Sequence, residues 1–545
     1  MRLFLASLFT IILLSGFLAA IVFTFLFIGG YIDAYLLIFL VVALNFILWL
    51  VSPTISDIMY SFFFHMKWIT LEDLRKNSKS SAELIENVCR KYNFNIPKLG
   101  LIDDKNPNAF TYGSGRWNAR IVVTNGIFQY LEDDNIAAVY GHELGHVKNR
   151  DFIVMTAAAT IIQLLYVFYV IGTQSSKTSR KGGGYLLLIG VASYVLYWIG
   201  QYIVLYLSRI REYYADQFSG EETKDPNSLS FALIKIAYGI LTNPDDVKLV
   251  NTTKNMGIMN FSAAKSLGMT YYMAHESKNP SLLDNAFLFD LHNPWAFISE
   301  LMSTHPLTAK RIKRLCSVSK RIGTKPAFDF DMIEKKSSVN KRRLRTNFLK
   351  DLAVLSLPVC AAIIYPFLYA AAILTEMIIF NVFQFFSLWM IIIGLAMIIK
   401  TIYRYPGKAP QKLTVFELMS DVYASPVRGR RVILKGKFIG RGVPGFIFSE
   451  DLMMQDRTGL IYLNYQSWFP LLGNLFFALK KVKDLIGGQA EADGWFLRGG
   501  SSWMDLSSMK TREKTIKSYI KPMGLFWGLV SIMIGFALAP WMFLL

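Results

Sequence analysis

The sequence predicts an α-helical multi-span membrane protein that carries a soluble α+β domain and a small C-terminal β-barrel, OB-like in form. Three observations predict it. Of the residues, 53% are hydrophobic and only 18% charged, a balance too apolar for a soluble chain of this length. The apolar residues gather into runs long enough to cross a bilayer, most of them paired across short turns. Between the runs, residues 66–150 and 208–350 have soluble composition, and residues 410–515 alternate apolar and polar positions with glycines at the bends.

Leu3 to Ile28 is too long for a signal-peptide core, and Tyr35 to Val51 follows after a Gly-Gly turn. The two form an N-terminal hairpin within residues 1–55. From Met66 the chain reads as soluble. Ser81 to Tyr92 is a helix, with Leu84, Ile85 and Val88 on one face. Leu99 to Ile102 is a strand. Asn108 to Tyr112 and Arg120 to Thr124 form a loose hairpin around Gly113-Ser114-Gly115, whose edge could take a peptide by strand addition.

A second hairpin, Phe152 to Gly172 and Tyr185 to Leu207, interrupts a domain of residues 66–350 at 152–207. A third, Leu352 to Thr375 and Val382 to Ile399, occupies residues 351–402. Residues 410–515 hold strands Arg431 to Gly440, Met453 to Asp456, Leu460 to Tyr465 and Gln489 to Leu497. Trp468 to Leu479 is apolar but too short to span, and fits a membrane interface. Met523 to Leu545 is a last crossing segment, residues 523–545.

Net charge is +19, and from Arg311 to Lys350 there are 13 Lys and Arg against three acidic residues. A basic block abutting a span reads as a cytoplasmic juxtamembrane region against anionic lipid. It lacks interleaved stacking aromatics, so no nucleic-acid partner is expected. Lys177, Arg180 and Lys181 pull the orientation the other way, and the larger excess decides it. Parity then puts residues 66–150, 209–350 and 405–520 on the cytoplasmic side of the cell membrane. Cys89, Cys316 and Cys360 are scattered and fit a reducing compartment.

The chemistry sits in Gly141-His142-Glu143-Leu144-Gly145-His146. Positions i and i+4 share a helix face, so His142 and His146 can present two imidazoles to one Zn²⁺. Glu143 is placed to act as base on water. Asp133 or Asp134 can cap the helix. Catalytic zinc keeps three protein ligands, and the best third candidate is Glu212 in Ser208-Arg209-Ile210-Arg211-Glu212-Tyr213-Tyr214-Ala215-Asp216. Asp216, at i+4, would sit behind it and accept an N–H from a ligand histidine. An even number of crossings between His146 and Glu212 lets both reach one ion.

H-E-L-G-H-V-K-N-R-D, an apolar hairpin, and then S-R-I-R-E-Y-Y-A-D resemble the HtpX-type membrane zinc metalloproteases. These are glutamate-ligand zincins related to the CAAX prenyl-protein endopeptidases. Pro107-Asn108-Ala109-Phe110-Thr111-Tyr112-Gly113 resembles the family's edge strand before the active-site helix. Ser303-Thr304-His305-Pro306 with Arg311-Ile312 resembles its closing motif. The resemblance spans about residues 1–320. It implies an α+β zincin protease domain and one zinc per chain on His142, His146 and Glu212. It implies catalytic roles for Glu143, His305 and Arg311, the last two as oxyanion electrophiles, and substrate binding by Asn108, Ala109 and Phe110. The expected activity is hydrolysis of peptide bonds in misfolded or damaged membrane proteins, by an active site facing the cytoplasm. A CAAX-type processing protease with one defined substrate is the alternative within enzymes. An inactive zincin scaffold presenting the β-domain is the alternative outside them.

Overall fold

The computed structural model describes residues 33–178, 183–242, 281–377, 381–441, 450–512 and 514–540. The expected span Leu3 to Ile28 lies outside them, as do Arg180 and Lys181. Among the described residues, six helices are long and apolar enough to cross a membrane: Tyr35–Phe63, Asp151–Ser176, Gly184–Glu222, Lys341–Leu374, Val382–Arg404 and Ile520–Leu538. The chain divides into two compact units, Met1–Gly268 with Glu300–Ile333, and Met269–Ser299 with Glu334–Leu545.

In the first unit, helix α1 (Ala34–Phe63) starts on Asp33, whose side chain accepts from Leu36 N. It continues beyond the apolar run to Phe63 because its polar end packs against the soluble part. Arg120 Nε and Nη2 donate to the Asp57 carboxylate at 3.0 and 2.8 Å, and Tyr112 Oη donates to it at 2.8 Å. Met59 and Tyr60 share a core with Ile102, Phe110, Tyr112 and Val122. That core backs a four-stranded sheet of β1 (Lys67–Ile69), β2 (Lys98–Ile102), β3 (Ala109–Tyr112) and β4 (Arg120–Thr124). The order is β1-β2-β4-β3, with β2 and β4 parallel and β3 antiparallel on the edge.

Helix α2 (Asp133–Asn149) carries the H-E-x-x-H. Its N-cap is Glu132, without a side-chain hydrogen bond. The expected aspartate cap is absent because Asp133 is engaged elsewhere: it accepts from Ser78 Oγ, and from Ser80 N at 3.2 Å, at the start of the helix Lys79–Lys91. α2 ends on Arg150, in the left-handed region at φ 59°, ψ 37°. The chain reverses there straight into α3 (Asp151–Thr178). Helix α4 (Gly183–Glu222) returns alongside it. A Cβ on Gly172 would lie 2.7 Å from Gly190 Cα, so the two backbones touch, as small residues permit between membrane helices.

At 40 residues, α4 is about 60 Å long, twice the ~30 Å hydrocarbon core. Its last turns therefore leave the apolar layer and cross α2. At the crossing a Cβ on Gly145 would stand 2.9 Å from Ala215 Cα, and one on Gly141 2.9 Å from Ser219 Oγ. Ser219 Oγ donates to the Ala138 carbonyl. Helix α5 (Thr308–Arg321) completes this unit with Arg311, Ile312 and Leu315 buried.

The second unit contains α6 (Lys341–Leu374), α7 (Val382–Arg404) and α8 (Ile520–Leu538). Residues 281–299, expected within the protease domain, pack here. Asn293 Nδ2 donates to the carbonyls of Val422 and Ala424 at 2.8 and 3.0 Å. The β-rich stretch has β5 (Gln411–Lys412), β6 (Arg430–Arg441), β7 (Leu452–Asp456), β8 (Gly459–Asn464), β9 (Gln489–Arg498), β10 (Ser502–Thr511) and β11 (Thr515–Lys517). Pairing runs round a circuit, β6–β7–β8–β10–β9 and back to β6, with β8 and β10 parallel. Strand β10 was not expected from sequence. Its buried Met504, Leu506 and Met509 break the two-residue period because a register shift falls between Leu506 and Ser508.

The α2–α4 crossing yields a test. Gly145→Val puts a branched side chain where no Cβ fits, and is expected to destabilise the protein by about 1–3 kcal/mol. Thermal unfolding in detergent should show a lower midpoint for Gly145→Val, with Gly145→Ala between it and wild type. An unchanged midpoint for both would mean the helices do not cross this closely.

Candidate active site

The α2–α4 crossing brings the predicted ligands together. His142 and His146 lie one turn apart on α2, and Glu212 faces them from α4. His142 Nε2 and His146 Nε2 are 3.2 Å apart. Glu212 Oε2 is 3.5 Å from His142 Nε2, and Oε1 is 3.5 Å from His146 Nε2. Tetrahedral ligands at zinc bond lengths stand about 3.3–3.5 Å from one another. The three residues form a group that could hold a metal ion.

The outer nitrogens support the same reading. His142 Nδ1 lies 3.0 Å from Asp216 Oδ1, and His146 Nδ1 lies 2.6 Å from Asp151 Oδ2. A carboxylate on each Nδ1 takes that nitrogen's proton, so each imidazole, when neutral, turns its Nε2 lone pair toward Glu212 and one common point. A cation relieves that arrangement. Glu212 Oε2, buried, accepts no hydrogen bond, and both ring nitrogens of His305 are buried without one. The residues fit zinc.

Asp216, expected behind the ligands, lies there. Asp151 was not anticipated. It is the first residue of α3, five residues past His146, and also sits 3.1 Å from Arg211 Nε. The sequence signal was the acid directly after the H-E-x-x-H helix.

Arg311 stands elsewhere than its expected oxyanion role requires. It is 1% exposed. Its Nε and Nη2 donate to both oxygens of Asp216 at 2.9 and 2.6 Å, and Nη1 lies 3.4 Å from Glu212 Oε2. A guanidinium gripping a buried carboxylate in this fork is a positioning group.

His305 Nδ1 is 3.1 Å from Glu212 Oε2. Its loop is pinned by Arg209, another residue the sequence did not single out. Arg209 Nη1 donates to the carbonyls of Glu300 and Ser303, both at 2.8 Å. Leu307 N in turn donates to Glu300 Oε1 at 3.1 Å.

Glu143 is 2% exposed and accepts from Thr111 Oγ1 on the edge strand. Ala109 and Phe110, expected with Asn108 to bind substrate along a strand edge, lie on β3, and Asn108 directly precedes it. Phe110 is packed in the core under the sheet, and Asn108 Oδ1 accepts from Ala109 N at 3.0 Å. The backbone tells more. Thr124 N donates to Asn108 O at 3.0 Å, so by antiparallel alternation Phe110 and Tyr112 also pair with β4. Ala109 and Thr111 therefore turn their main chain to the open edge.

The model of Peptidase family M48 matches residues 75–319. A "Protease HtpX homolog" of Aquifex aeolicus (strain VF5) is 31% identical over 254 residues, 44% of this chain and 72% of that protein. The chain belongs to peptidase family M48. Another "Protease HtpX homolog", of Aeropyrum pernix, is 31% identical over 293 residues, 52% of this chain and 86% of its own. The crystal structure of S. mikatae Ste24p superposes with TM-score 0.35 at 17% identity, over 57% of this chain and 65% of that one, too loosely to match residues. An M48 chain with six helices, among the described residues, long and apolar enough to cross a bilayer is a multi-pass membrane protease. The family implies a metal, and the matched stretch holds the whole candidate group. The second unit's helices α6 to α8 and its strands lie beyond the match.

Burial alone would push the His142 imidazole down, but the Asp216 carboxylate at 3.0 Å and the Glu212 carboxylate at 3.5 Å outweigh it and hold it up at about 9 without metal. The raised value means this contribution to apoprotein stability is full below about pH 6.5 and is lost as pH rises through about 9. A metal must displace that proton. Zinc binding to the apoprotein at pH 7 should release about one proton from this residue, falling toward none above about pH 10. Calorimetric titration in buffers of different ionisation enthalpy measures it. Equal release at both pH values would exclude a protonated His142.

Proposed function

We propose that this M48 protease is a zinc endopeptidase of the H-E-x-x-H plus glutamate type. One Zn²⁺ would be held by His142, His146 and Glu212. The observation that carries the reading is the set of 3.2–3.5 Å separations among their donor atoms. The ion's chemistry, when bound, is Lewis-acid activation of water and polarisation of the scissile carbonyl. The remaining work falls to the chain.

Glu143 takes the proton of the attacking water and returns it to the leaving amine. The Thr111 hydroxyl holds one Glu143 oxygen and aims the other. The edge of β3 binds substrate as an added antiparallel strand, through the main chain of Ala109 and Thr111. His305, its nitrogens buried without hydrogen bonds, is the group that stabilises the tetrahedral oxyanion. Arg311 acts through Asp216, which fixes the His142 tautomer.

The substrates proposed are misfolded or damaged membrane proteins, cut on the cytoplasmic face. Support comes from the site's place at the foot of a membrane hairpin and from the basic stretch before α6. Residues 410–515 are read as an OB-like barrel. Its closed strand circuit and the helix Pro470–Phe476 between the third and fourth barrel strands support this.

Glu143→Gln should retain zinc but lose activity on casein by at least about 10²-fold, because an amide cannot accept the proton. Glu212→Ala, alongside, should lose both. Metal analysis with a peptidase assay on the purified pair separates base from ligand, and full zinc content in Glu212→Ala would remove it from the set.

Orientation is tested separately. A single cysteine replacing the exposed Glu132, in a cysteine-free background, should resist impermeant maleimide in intact cells and react in inverted vesicles. The opposite pattern would place the site outside the cytoplasm.

A further inference from the structure

A cavity of about 470 Å³ lies near the foot of α3, apart from the candidate active site. Its wall is formed by the Asn93–Asn95 turn, Arg116 and Trp117 from the β3–β4 connection, and Arg150 and Ile153 at the α2–α3 reversal. None of the peptidase residues lines it.

Its charge is unusual. Two guanidiniums line the wall and no carboxylate does. Arg116 sits against Phe94, 6.0 Å from the ring centroid, and donates through Nη2 to the Lys148 carbonyl. Its Nε is buried with no hydrogen-bond partner. Burial, and then the Arg150 charge, both press against the Arg116 charge. Nearby, Trp49 Nε1 is also buried without an acceptor, and its ring meets Trp117 edge-on at 6.1 Å. Cations and unspent N–H groups collect here with no protein anion in the wall to answer them.

The level in the membrane is readable as well. Along α1 the apolar run ends at Val51, and Ser52, Ser56 and Asp57 follow. Ser114 Oγ donates to the Trp49 carbonyl at 2.7 Å, so the β3–β4 connection rests at that height. The span of α3 begins at Asp151, two residues before Ile153. Trp117 is 59% exposed and Ile153 37%. Tryptophan beside arginine at the end of spans is the composition of the headgroup layer.

We propose that this cavity binds the phosphate group of an anionic phospholipid, held between Arg116 and Arg150, with its acyl chains leaving past Trp117 and Ile153. Free phosphate shares the anionic chemistry but leaves the apolar wall uncovered. Paired guanidiniums suit a phosphate diester, offering several N–H donors to its oxygens. Arg116 holds the last turn of α2, and Arg150 is the hinge between the two metal-site histidines and the membrane hairpin. The lipid would brace that junction. The zinc reading is not required for it.

The test is native mass spectrometry of the full-length protein released from mixed micelles of phosphatidylglycerol and phosphatidylcholine. Wild type should keep one phosphatidylglycerol at activation energies that strip all phosphatidylcholine. Arg150→Gln and Arg116→Gln should each lower that retention by about tenfold, the scale of one charge-assisted contact, while Lys76→Gln does not. Arg150→Gln leaves the Arg116–Lys148 bond in place, so an unaltered thermal midpoint for it keeps the result independent of misfolding. Arg116→Lys should retain part of the lipid. Equal retention in wild type and both glutamine variants would overturn the proposal. So would displacement of the lipid by millimolar inorganic phosphate that itself stays bound, which would assign the site to the free ion.

Discussion

Everything about the site depends on two helices crossing where one offers only glycines and the other only alanine and serine. His142 and His146 belong to one helix and Glu212 to another, separated in sequence by a membrane hairpin. They come within 3.5 Å only because glycine at 145 meets alanine at 215, and glycine at 141 meets serine at 219. The spacing of small residues at i and i+4 on both helices is thus the steric counterpart of the ligand spacing. The ligands give the site its chemistry, and the glycines and their partners allow it to close.

Around that crossing the charges are layered so that none is buried alone. Arg311 is held by Asp216, Asp216 faces His142, Glu212 lies between both histidines and His305, and Asp151 joins His146 to Arg211. A buried ion pair is weak evidence of stability, since desolvation offsets most of its attraction. Its value here is orientation. Each ligand atom has one free lone-pair direction because its other side is occupied. The nearest positive charge, Arg311, is held by both oxygens of Asp216 and lies 3.5 Å from His142 Nδ1, the nitrogen turned away from the ligand group.

The sequence was most informative where one spacing rule governed a whole element. The H-E-x-x-H helix was legible from i, i+4 geometry, Glu212 and Asp216 from that spacing together with the family pattern, and the described spans from length and apolarity. Residues whose role arises from tertiary contact were not. Arg209 looks like any juxtamembrane arginine until its guanidinium is seen to gather two loop carbonyls. Asp151 reads as a helix start, which it is, and its second contact depends on the left-handed turn at Arg150. The family pattern led to an oxyanion role for Arg311, whereas its burial against Asp216 suits a support. Phe110 was placed on the edge strand by its motif, but that its side chain belongs to the core under the sheet could be read only from the fold. Strand β10 was missed because a bulge shifts its inward face midway.

The continuity of α4 has a mechanical side. One unbroken helix begins in the bilayer and ends in the catalytic centre, so it behaves as a lever rather than as two parts joined by a hinge. A rod of about 60 Å turning by about 1° round its midpoint moves each end by about 0.5 Å. Helices answer a change of bilayer thickness by tilting, and misplacement on the order of 1 Å costs catalysis about a hundredfold. A tilt of α4 in the bilayer would therefore reach Glu212 with no joint between to absorb it.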